Sequence, residues 1–236
     1  YHKLIIPFLI PFMLVMAIGP KLKWIKSKVD DKMNLIILFI ISIVLSFIIV
    51  KNFSLNFLVN TILISSALYL FFITVRDFFI SKNKNISQNI AHFGFSLLIL
   101  SILFNNLFSS EIITNLKVGE TFENSKTKIL FESISQKKQK NYKSIITNFT
   151  IESSDGDIEM LSPELRVYNQ PNIVTSEADI KTTLMADKFM VINIVQNQDY
   201  FNVRYQTKPF MLWIWLSVLL ISFGGLLSFL KKEYEK

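Results

Sequence analysis

The apolar residues of this chain are gathered into long blocks that are separated by short polar stretches. Five blocks are bounded by charged or strongly polar residues, and they cover residues 4–19, 33–50, 57–75, 89–108 and 209–230. A bilayer core is about 30 Å thick, so a helix that rises about 1.5 Å per residue needs roughly 20 apolar residues to cross it. The pattern therefore predicts five transmembrane helices, of which the first is short and contains Pro7 and Pro11.

A polar stretch, residues 111–208, separates the fourth block from the fifth, and it contains runs in which apolar and polar residues alternate. The runs that predict strands are 145–152, 158–161, 189–195 and 200–206. Asp155-Gly156 is a common hairpin turn between the first two runs. The stretch therefore predicts a β-rich domain, a small sandwich or a partly open barrel, in which the run 136–143 is expected to be a solvated loop.

Together these patterns predict a polytopic α-helical membrane protein with an inserted β-rich extracytoplasmic domain. Four helices are expected within residues 1–110, the β-rich domain at 111–208, a fifth helix at 209–230 and a tail at 231–236. Because basic residues mark cytoplasmic loops, the orientation follows from the positions of Lys and Arg. They gather after the first block, after the third block and in the tail, at Lys21, Lys23, Lys26, Lys28, Lys32, Arg76, Lys82, Lys84, Lys231, Lys232 and Lys236.

The connection between the second and third blocks carries only Lys51, so all three basic segments fall on one side. This orientation places residues 111–208 outside the cytoplasm. In a Gram-negative bacterium, the chain would lie in the inner membrane with this domain in the periplasm. The net charge of +7 is thereby explained by topology, and no basic stripe of the kind that nucleic acid requires is present in the sequence.

The composition and the motifs exclude several kinds of catalytic and binding site. The sequence contains no cysteine, which excludes thiolate catalysis, disulfides and covalent attachment of haem to this chain. It also contains no Gly-x-Ser-x-Gly elbow and no Gly-rich phosphate-binding loop. The chain begins at Tyr1 rather than at Met, and we expect it to be part of a longer protein.

His92 is the principal candidate for chemistry, since it is one of only two histidines and lies just inside the predicted cytoplasmic end of the fourth block. An ionisable residue at membrane depth is costly and is therefore a functional candidate. On a helix, its face is shared by Gln88, Phe95, Ser96, Ile99 and Leu103. That neighbourhood suits the edge of a porphyrin and suits a packed helix equally well. His2 belongs to the opposite side of the membrane and is expected to be an interfacial residue.

In the outer domain, Glu164, Arg166 and Glu177 are the notable charged residues. Taken alone, such residues usually form surface salt bridges and turns. A pair of carboxylates for acid–base chemistry would need a cleft, which the sequence does not reveal.

Four stretches of the sequence, taken together, resemble one known family. They are Tyr1–Pro7 with Met16-Ala17-Ile18-Gly19-Pro20 and Trp24; Ala91-His92-Phe93-Gly94; Pro163–Tyr168 with Ser176–Ile180; and Val203-Arg204 with 208–225. In order and spacing they resemble the C-terminal part of CcmF, the cytochrome c-type biogenesis protein that serves as a haem lyase subunit. The resemblance covers nearly the whole chain.

The resemblance implies that His92 is one axial ligand of a b-type haem and that the second ligand lies in the N-terminal half of CcmF. It further implies that this haem reduces the haem delivered by the chaperone CcmE, before thioether bonds form with apocytochrome c. CcmH and CcmI are the implied partners that present the apocytochrome. Glu164, Arg166 and Glu177 match family positions and are candidates for partner docking.

The chain also lacks features of the family, namely its tryptophan-rich haem-handling segment and its periplasmic histidines. Two other functions therefore stay open. One is a non-enzymatic membrane scaffold whose periplasmic domain recruits maturation partners, with His92 merely packed. The other is a transporter or channel subunit, which the absence of conspicuous charge pairs within the spans disfavours.

Overall fold

Five helices and ten strands make up the described part of this computed structural model, which comprises residues 2–19, 32–51, 57–80, 86–195 and 198–234. The helices form one compact unit, and residues 109–209 form a second one. Most of the basic residues in the loops predicted to be cytoplasmic fall at 20–31 and 81–85, outside the described residues, as does the last residue of the tail, Lys236.

The helices correspond to the five apolar blocks. They are α1 (His2–Ile18), α2 (Lys32–Lys51), α3 (Phe57–Ile80), α4 (Ile86–Phe108) and α5 (Met211–Tyr234). Within the described ranges, four of them, α2 to α5, are long and apolar enough to cross a membrane, whereas α1 is a shorter apolar helix. The α-helical membrane part of the predicted fold class is thus confirmed, and crossing by α1 stays a prediction.

Three helices extend by three or more residues past the predicted ends of their blocks. α3 continues beyond Val75 to Ile80, α4 begins at Ile86 rather than at Asn89, and α5 continues to Tyr234, into the segment 231–236 that was predicted to be a tail. Hydropathy ends at the first charged residue, but backbone hydrogen bonds continue as long as the side chains at the helix end can reach water.

Helix α3 is the centre of the helical unit, because it packs against α1, α2 and α4, while α5 packs against α4. The buried side chains are mostly apolar and include Met13, Ala17, Leu63, Ala67, Leu70 and Ile73. Small hydroxyl residues allow close approach between helices. Ser46 on α2 donates a hydrogen bond to the carbonyl oxygen of Thr61 on α3 at 2.7 Å, which satisfies a polar group that lipid could not.

The second unit is a β-sandwich. Its strands are β1 (Ser110–Leu116), β2 (Thr121–Glu123), β3 (Thr127–Lys138), β4 (Tyr142–Ser153), β5 (Ile158–Leu161), β6 (Glu164–Tyr168), β7 (Val174–Glu177), β8 (Asp179–Thr182), β9 (Ala186–Ile194) and β10 (Phe201–Pro209). One sheet has the order β1-β10-β9-β8, and the other has the order β2-β3-β4-β6-β7 with β5 paired to β4. All described pairings are antiparallel.

The core of the sandwich is formed by alternate residues of both sheets. Phe131 and Phe149 stack with their ring centroids 4.4 Å apart in the six-stranded sheet. Met190, Ile192 and Val203 of the four-stranded sheet are fully buried in the same cluster. Because every second side chain of a strand faces the same way, the alternation in the sequence indicated the buried face of these strands. The β-rich part of the fold class is confirmed, in the form of a sandwich.

One prediction for this domain is wrong. The run 136–143 is not a loop, because β3 continues to Lys138 and β4 begins at Tyr142, which leaves a turn at 139–141. The two strands stay paired to their ends, where Lys138 lies opposite Lys143. Polar side chains are compatible with a strand whose outer face is solvated, so polarity alone does not indicate a loop.

Candidate functional site

His92 lies in the second turn of α4 and is half-buried. One turn further on, Ser96 is completely buried, and its hydroxyl lies 3.1 Å from the hydroxyl of Thr74 on α3. Near the start of α4, the side-chain amide of Asn89 donates a long hydrogen bond of 3.5 Å to the carbonyl oxygen of Asp77. These contacts fix α4 against α3 on either side of His92.

On another face, α4 is in backbone contact with α5. A Cβ atom added to Gly224 would lie 2.7 Å from the backbone nitrogen of Ala91, and one added to Gly94 would lie 2.9 Å from the backbone nitrogen of Ile221. Real Cβ contacts are never this short, so only glycine allows the two helices to approach so closely. Ala91 and Gly94 flank His92 in sequence, so this crossing also limits how far α4 can rotate.

Aromatic rings surround the His92 turn. Phe93 contacts Phe71 and Phe78 of α3, with ring centroids 5.7 and 5.8 Å apart. Phe95, on the same side of α4 as His92, packs edge-on against Phe12 of α1 at 5.8 Å. The helix turn that carries His92 is therefore flanked by aromatic side chains of α1 and α3.

The imidazole of His92 makes no hydrogen bond to any other residue in the described ranges, although the Asp77 carboxylate lies within electrostatic range. No group of three or more His, Cys, Asp or Glu that could hold a metal ion by itself occurs among the described residues. His92 offers one nitrogen donor on a half-buried helix face.

An apolar pocket of about 400 Å³ lies near this turn, between α3, α4 and α5. Phe78, Phe93 and Leu220 are among the side chains that line it, and His92 is not. The two features are separate, because His92 and Phe93 point in directions about 100° apart on the helix.

In the sandwich, the structure brings Glu164, Arg166 and Glu177 together on the outer face of β6 and β7. Arg166 forms an ion pair with Glu164 and lies 3.8 Å from the Glu177 carboxylate. The hydroxyl of Ser144 on β4 donates a hydrogen bond to Glu164. This bond, together with Arg166, holds the pKa of the Glu164 carboxyl below its usual value, although partial burial acts in the opposite direction.

Two tyrosines, which sequence reasoning had not singled out, complete this cluster. Tyr142 and Tyr168 are cross-strand partners on β4 and β6, and the Arg166 guanidinium lies 5.3 Å from the ring centroid of Tyr142. The hydrogen bond to Glu164 raises the pKa of Arg166, so the cation is permanent. The positive charge of Arg166 is already shared between two carboxylates and a ring, and docking by this cluster stays a prediction.

A second charged cluster was missed altogether. Glu159 on β5 is 6% exposed, and its carboxylate lies 2.5 Å from the Lys188 ammonium and 3.6 Å from that of Lys181. Burial acts to lower the pKa of Lys188, but the hydrogen bond to Glu159 and nearby negative charge outweigh it, and the pKa is raised. The cluster joins the two sheets of the sandwich. The only signal in the sequence was a Glu within a short alternating run, which is too common to interpret alone.

Comparison with known proteins identifies the sandwich. Residues 107–209 match the family model described as the CcmF C-terminal beta-sandwich. The sandwich is therefore similar to the C-terminal sandwich of CcmF. The resemblance of the chain to the C-terminal part of CcmF, which the four sequence stretches indicated, is confirmed.

The relatives extend this likeness beyond the sandwich. CcmF of Escherichia coli (strain K12) is 24% identical over 238 residues, which are 97% of this chain and 37% of that protein. CcmF of Haemophilus influenzae is 24% identical over 100% of this chain and 39% of its own length. CcmF of Pseudomonas fluorescens is 28% identical over 63% of this chain and 22% of its own length. The chain thus spans less than two-fifths of the length of these relatives.

A solved structure named "Cytochrome c Heme Lyase CcmF" has the same fold as this chain. The TM-score is 0.71 at 15% sequence identity, and the match covers 96% of this chain and 39% of the solved chain. At this identity the likeness concerns the fold alone.

Proposed function

We propose that this chain is the C-terminal part of a haem lyase of cytochrome c maturation and that His92 is an axial ligand of a b-type haem. The proposal rests on the burial and the hydrogen bonding of His92. It is half-buried on a helix turn that is flanked by aromatic rings, and it makes no hydrogen bond to another residue in the described ranges. Its imidazole therefore keeps a nitrogen available for a ligand.

The donor set fits a haem better than a free metal ion. A porphyrin holds iron through its own four nitrogens, so the protein needs to supply only one imidazole on each side. The absence of a three-residue ligand group from the described ranges agrees with this requirement. When bound, such a haem supplies one-electron transfer, which is the chemistry needed to reduce the iron of a second haem.

The residues around His92 act by orienting it. The Thr74–Ser96 contact and the glycine contacts with α5 fix the rotation of α4, and so the direction of the imidazole. Asp77 is close enough to stabilise a positive charge at the site. The second axial ligand would come from the part of CcmF that this chain does not include.

The cellular setting and the partners belong to the same proposal. The sandwich would lie in the periplasm and the helices in the inner membrane, where the chaperone CcmE delivers haem and where CcmH and CcmI present apocytochrome c. Glu164, Arg166 and Glu177 form one outward-facing cluster, which supports their role as a docking point for such partners. The reaction is the covalent attachment of haem to apocytochrome c, catalysed by the complete complex.

The test is a visible spectrum of the dithionite-reduced, complete membrane complex that contains this chain. We expect His92→Ala to lose the reduced b-type bands while its protein level, measured by blot, stays normal. Gln88→Ala is the matched control, because Gln88 is exposed one turn away on the same side of α4. Bands that persist in His92→Ala would refute the ligand assignment.

The alternative function, a non-enzymatic scaffold, is favoured by one observation. The sandwich is a separate compact unit with its own core, as expected of a recruiting domain. If it is correct, His92→Ala supports cytochrome c maturation at the wild-type level, whereas removal of residues 109–209 abolishes it.

A further inference from the structure

The turn between β8 and β9 differs in chemistry from the other tight turns of the sandwich. Its central residues are Leu184 and Met185, which are 59% and 60% exposed. Turns are normally built from Gly, Pro, Asn, Asp and Ser. The turns at 139–141 and 154–157 consist of such residues with Lys and Gln, whereas the connections at 117–120 and 169–173 each contain a single large apolar residue, Val118 and Ile173. Two adjacent large apolar side chains at the tip of a turn are unfavourable in water and indicate a partner.

Hydrogen bonds hold this turn in shape. The backbone N–H of Thr183 donates to the carbonyl oxygen of Ala186 at 3.0 Å, and the Thr183 hydroxyl donates to the same oxygen at 2.7 Å. The backbone N–H of Ala186 donates to the Thr183 hydroxyl oxygen at 3.1 Å. These polar groups are satisfied within the turn, which lowers the cost of moving it into a medium poor in water.

The register of the four-stranded sheet shows where the turn lies. Ala186, at the end of the turn, pairs with Pro209, the last residue of β10. Ser110, the first residue of β1, pairs with Thr207. The turn and both chain connections of the sandwich therefore lie at the same end of this sheet. Only one residue separates Pro209 from α5, which begins at Met211 and is long and apolar enough to cross a membrane.

We propose that Leu184 and Met185 insert into the lipid bilayer at the surface where α5 begins. The covalent connection indicates that the bilayer is the partner of this turn. Pro209 cannot move far from the start of α5, and Ala186, at the end of the turn, lies only about 5 Å from Pro209 as its antiparallel partner. The bilayer interface is thus within reach of the turn. Two apolar side chains on a rigid turn are suited to that layer, where apolar groups leave water while nearby polar groups stay hydrated. This proposal does not depend on the function of His92.

The test places a fluorescent label at the turn. The 236 residues contain no cysteine, so Met185→Cys introduces the only thiol of this chain. The control is Val118→Cys, because Val118 is 51% exposed in the turn that follows β1, at the opposite end of the strand from Ser110. Each variant of the full-length chain is labelled with the fluorophore NBD. It is then reconstituted into phosphatidylcholine nanodiscs with or without doxyl-labelled lipid.

We expect the label at position 185 to have blue-shifted emission and to be quenched by doxyl lipid at least threefold more than the label at position 118. Equal quenching at the two positions would overturn the proposal. Blue-shifted emission at position 185 that doxyl lipid does not quench would also overturn it, because the turn would then be covered by protein. Both variants replace exposed side chains, and unchanged thermal unfolding of each verifies that the fold is intact.

Discussion

His92 and Arg166 are the two residues to which a function is most readily assigned, and their surroundings differ. His92 has no hydrogen-bond partner within the described ranges, and the hydrogen bond nearest to it in α4 joins Ser96 to Thr74 of α3. Arg166 is bonded to Glu164, lies near Glu177 and covers the Tyr142 ring. The His92 imidazole is therefore free of hydrogen bonds within the described ranges, whereas the Arg166 guanidinium already stabilises the sandwich. We therefore expect changes at Arg166 to affect stability as well as any docking.

Glu164 should make the stability of the sandwich depend on pH. Its pKa in the folded protein is below the ordinary carboxyl value of 4.5, so its contribution is complete above that value and is lost as the pH falls through the lower, folded pKa. We expect Glu164→Gln to lower the free energy of unfolding by about 1 kcal/mol at neutral pH and to reduce the loss of stability below about pH 4.5. Denaturant titrations of the intact protein at a series of pH values measure both effects.

The control for this prediction is Glu152→Gln, because Glu152 is an exposed carboxylate on β4. Its substitution should leave the pH profile close to that of the wild type. If Glu164→Gln were as sensitive to acid as the wild type, the Ser144 and Arg166 contacts would not be the source of the effect.

Among the elements, α4 sets the direction in which the His92 side chain points. Its rotation is fixed on one side by the hydroxyl contact between Thr74 and Ser96. On another side it is fixed by the close crossing with α5 at Gly94 and Gly224. Both contacts rely on small side chains, because without a hydrophobic force between helices in lipid, association depends on close packing. The sandwich is stabilised instead by the burial of every second side chain of its strands.

The glycine crossing gives a prediction with a matched control. A methyl group at Gly224 would lie 2.8 Å from the carbonyl oxygen of Ser87, whereas one at Gly225 would meet nothing within 4 Å. We therefore expect Gly224→Ala to destabilise the helical unit by roughly 1–3 kcal/mol, as overpacking does, and Gly225→Ala to have little effect. Thermal unfolding in detergent compares the two. Equal stabilities would mean that α4 and α5 can separate without cost.

As a whole, the molecule consists of two units with separate cores, one helical and one β-rich. The chain enters the sandwich at β1 and leaves it at β10, and these strands are neighbours in one sheet, with Ser110 opposite Thr207. A domain whose ends meet in this way imposes little strain on the helices that it interrupts.

The sandwich should therefore fold without the helices. We expect a soluble fragment of residues 109–209 to show a β-sheet circular dichroism spectrum and a cooperative unfolding transition, because its core residues all come from this segment. Dispersed amide signals in a two-dimensional NMR spectrum provide the measurement for individual residues. A fragment that is unfolded in solution would show that the helical unit or the membrane supplies part of its stability.

By itself the sequence established the class of protein, the apolar helices and most strands of the sandwich. These features depend on the solvent around each segment, because a run of apolar residues suits lipid and an alternating run suits a half-buried sheet. The sequence also singled out His92, since a histidine at membrane depth is rare. Where the pattern failed, at 136–143, polar residues belonged to strands with a solvated face.

Contacts between distant residues required the tertiary structure. Thr74 and Ser96 are 22 positions apart, and nothing local indicates that their hydroxyls meet. Glu159 points into the sandwich while its neighbours Ile158 and Met160 are exposed, which reverses the expected alternation. The reversal is tolerated because Lys188, from the other sheet, neutralises the buried carboxylate. Side-chain direction at such positions depends on which elements pack together, and the local pattern of residues does not contain that information.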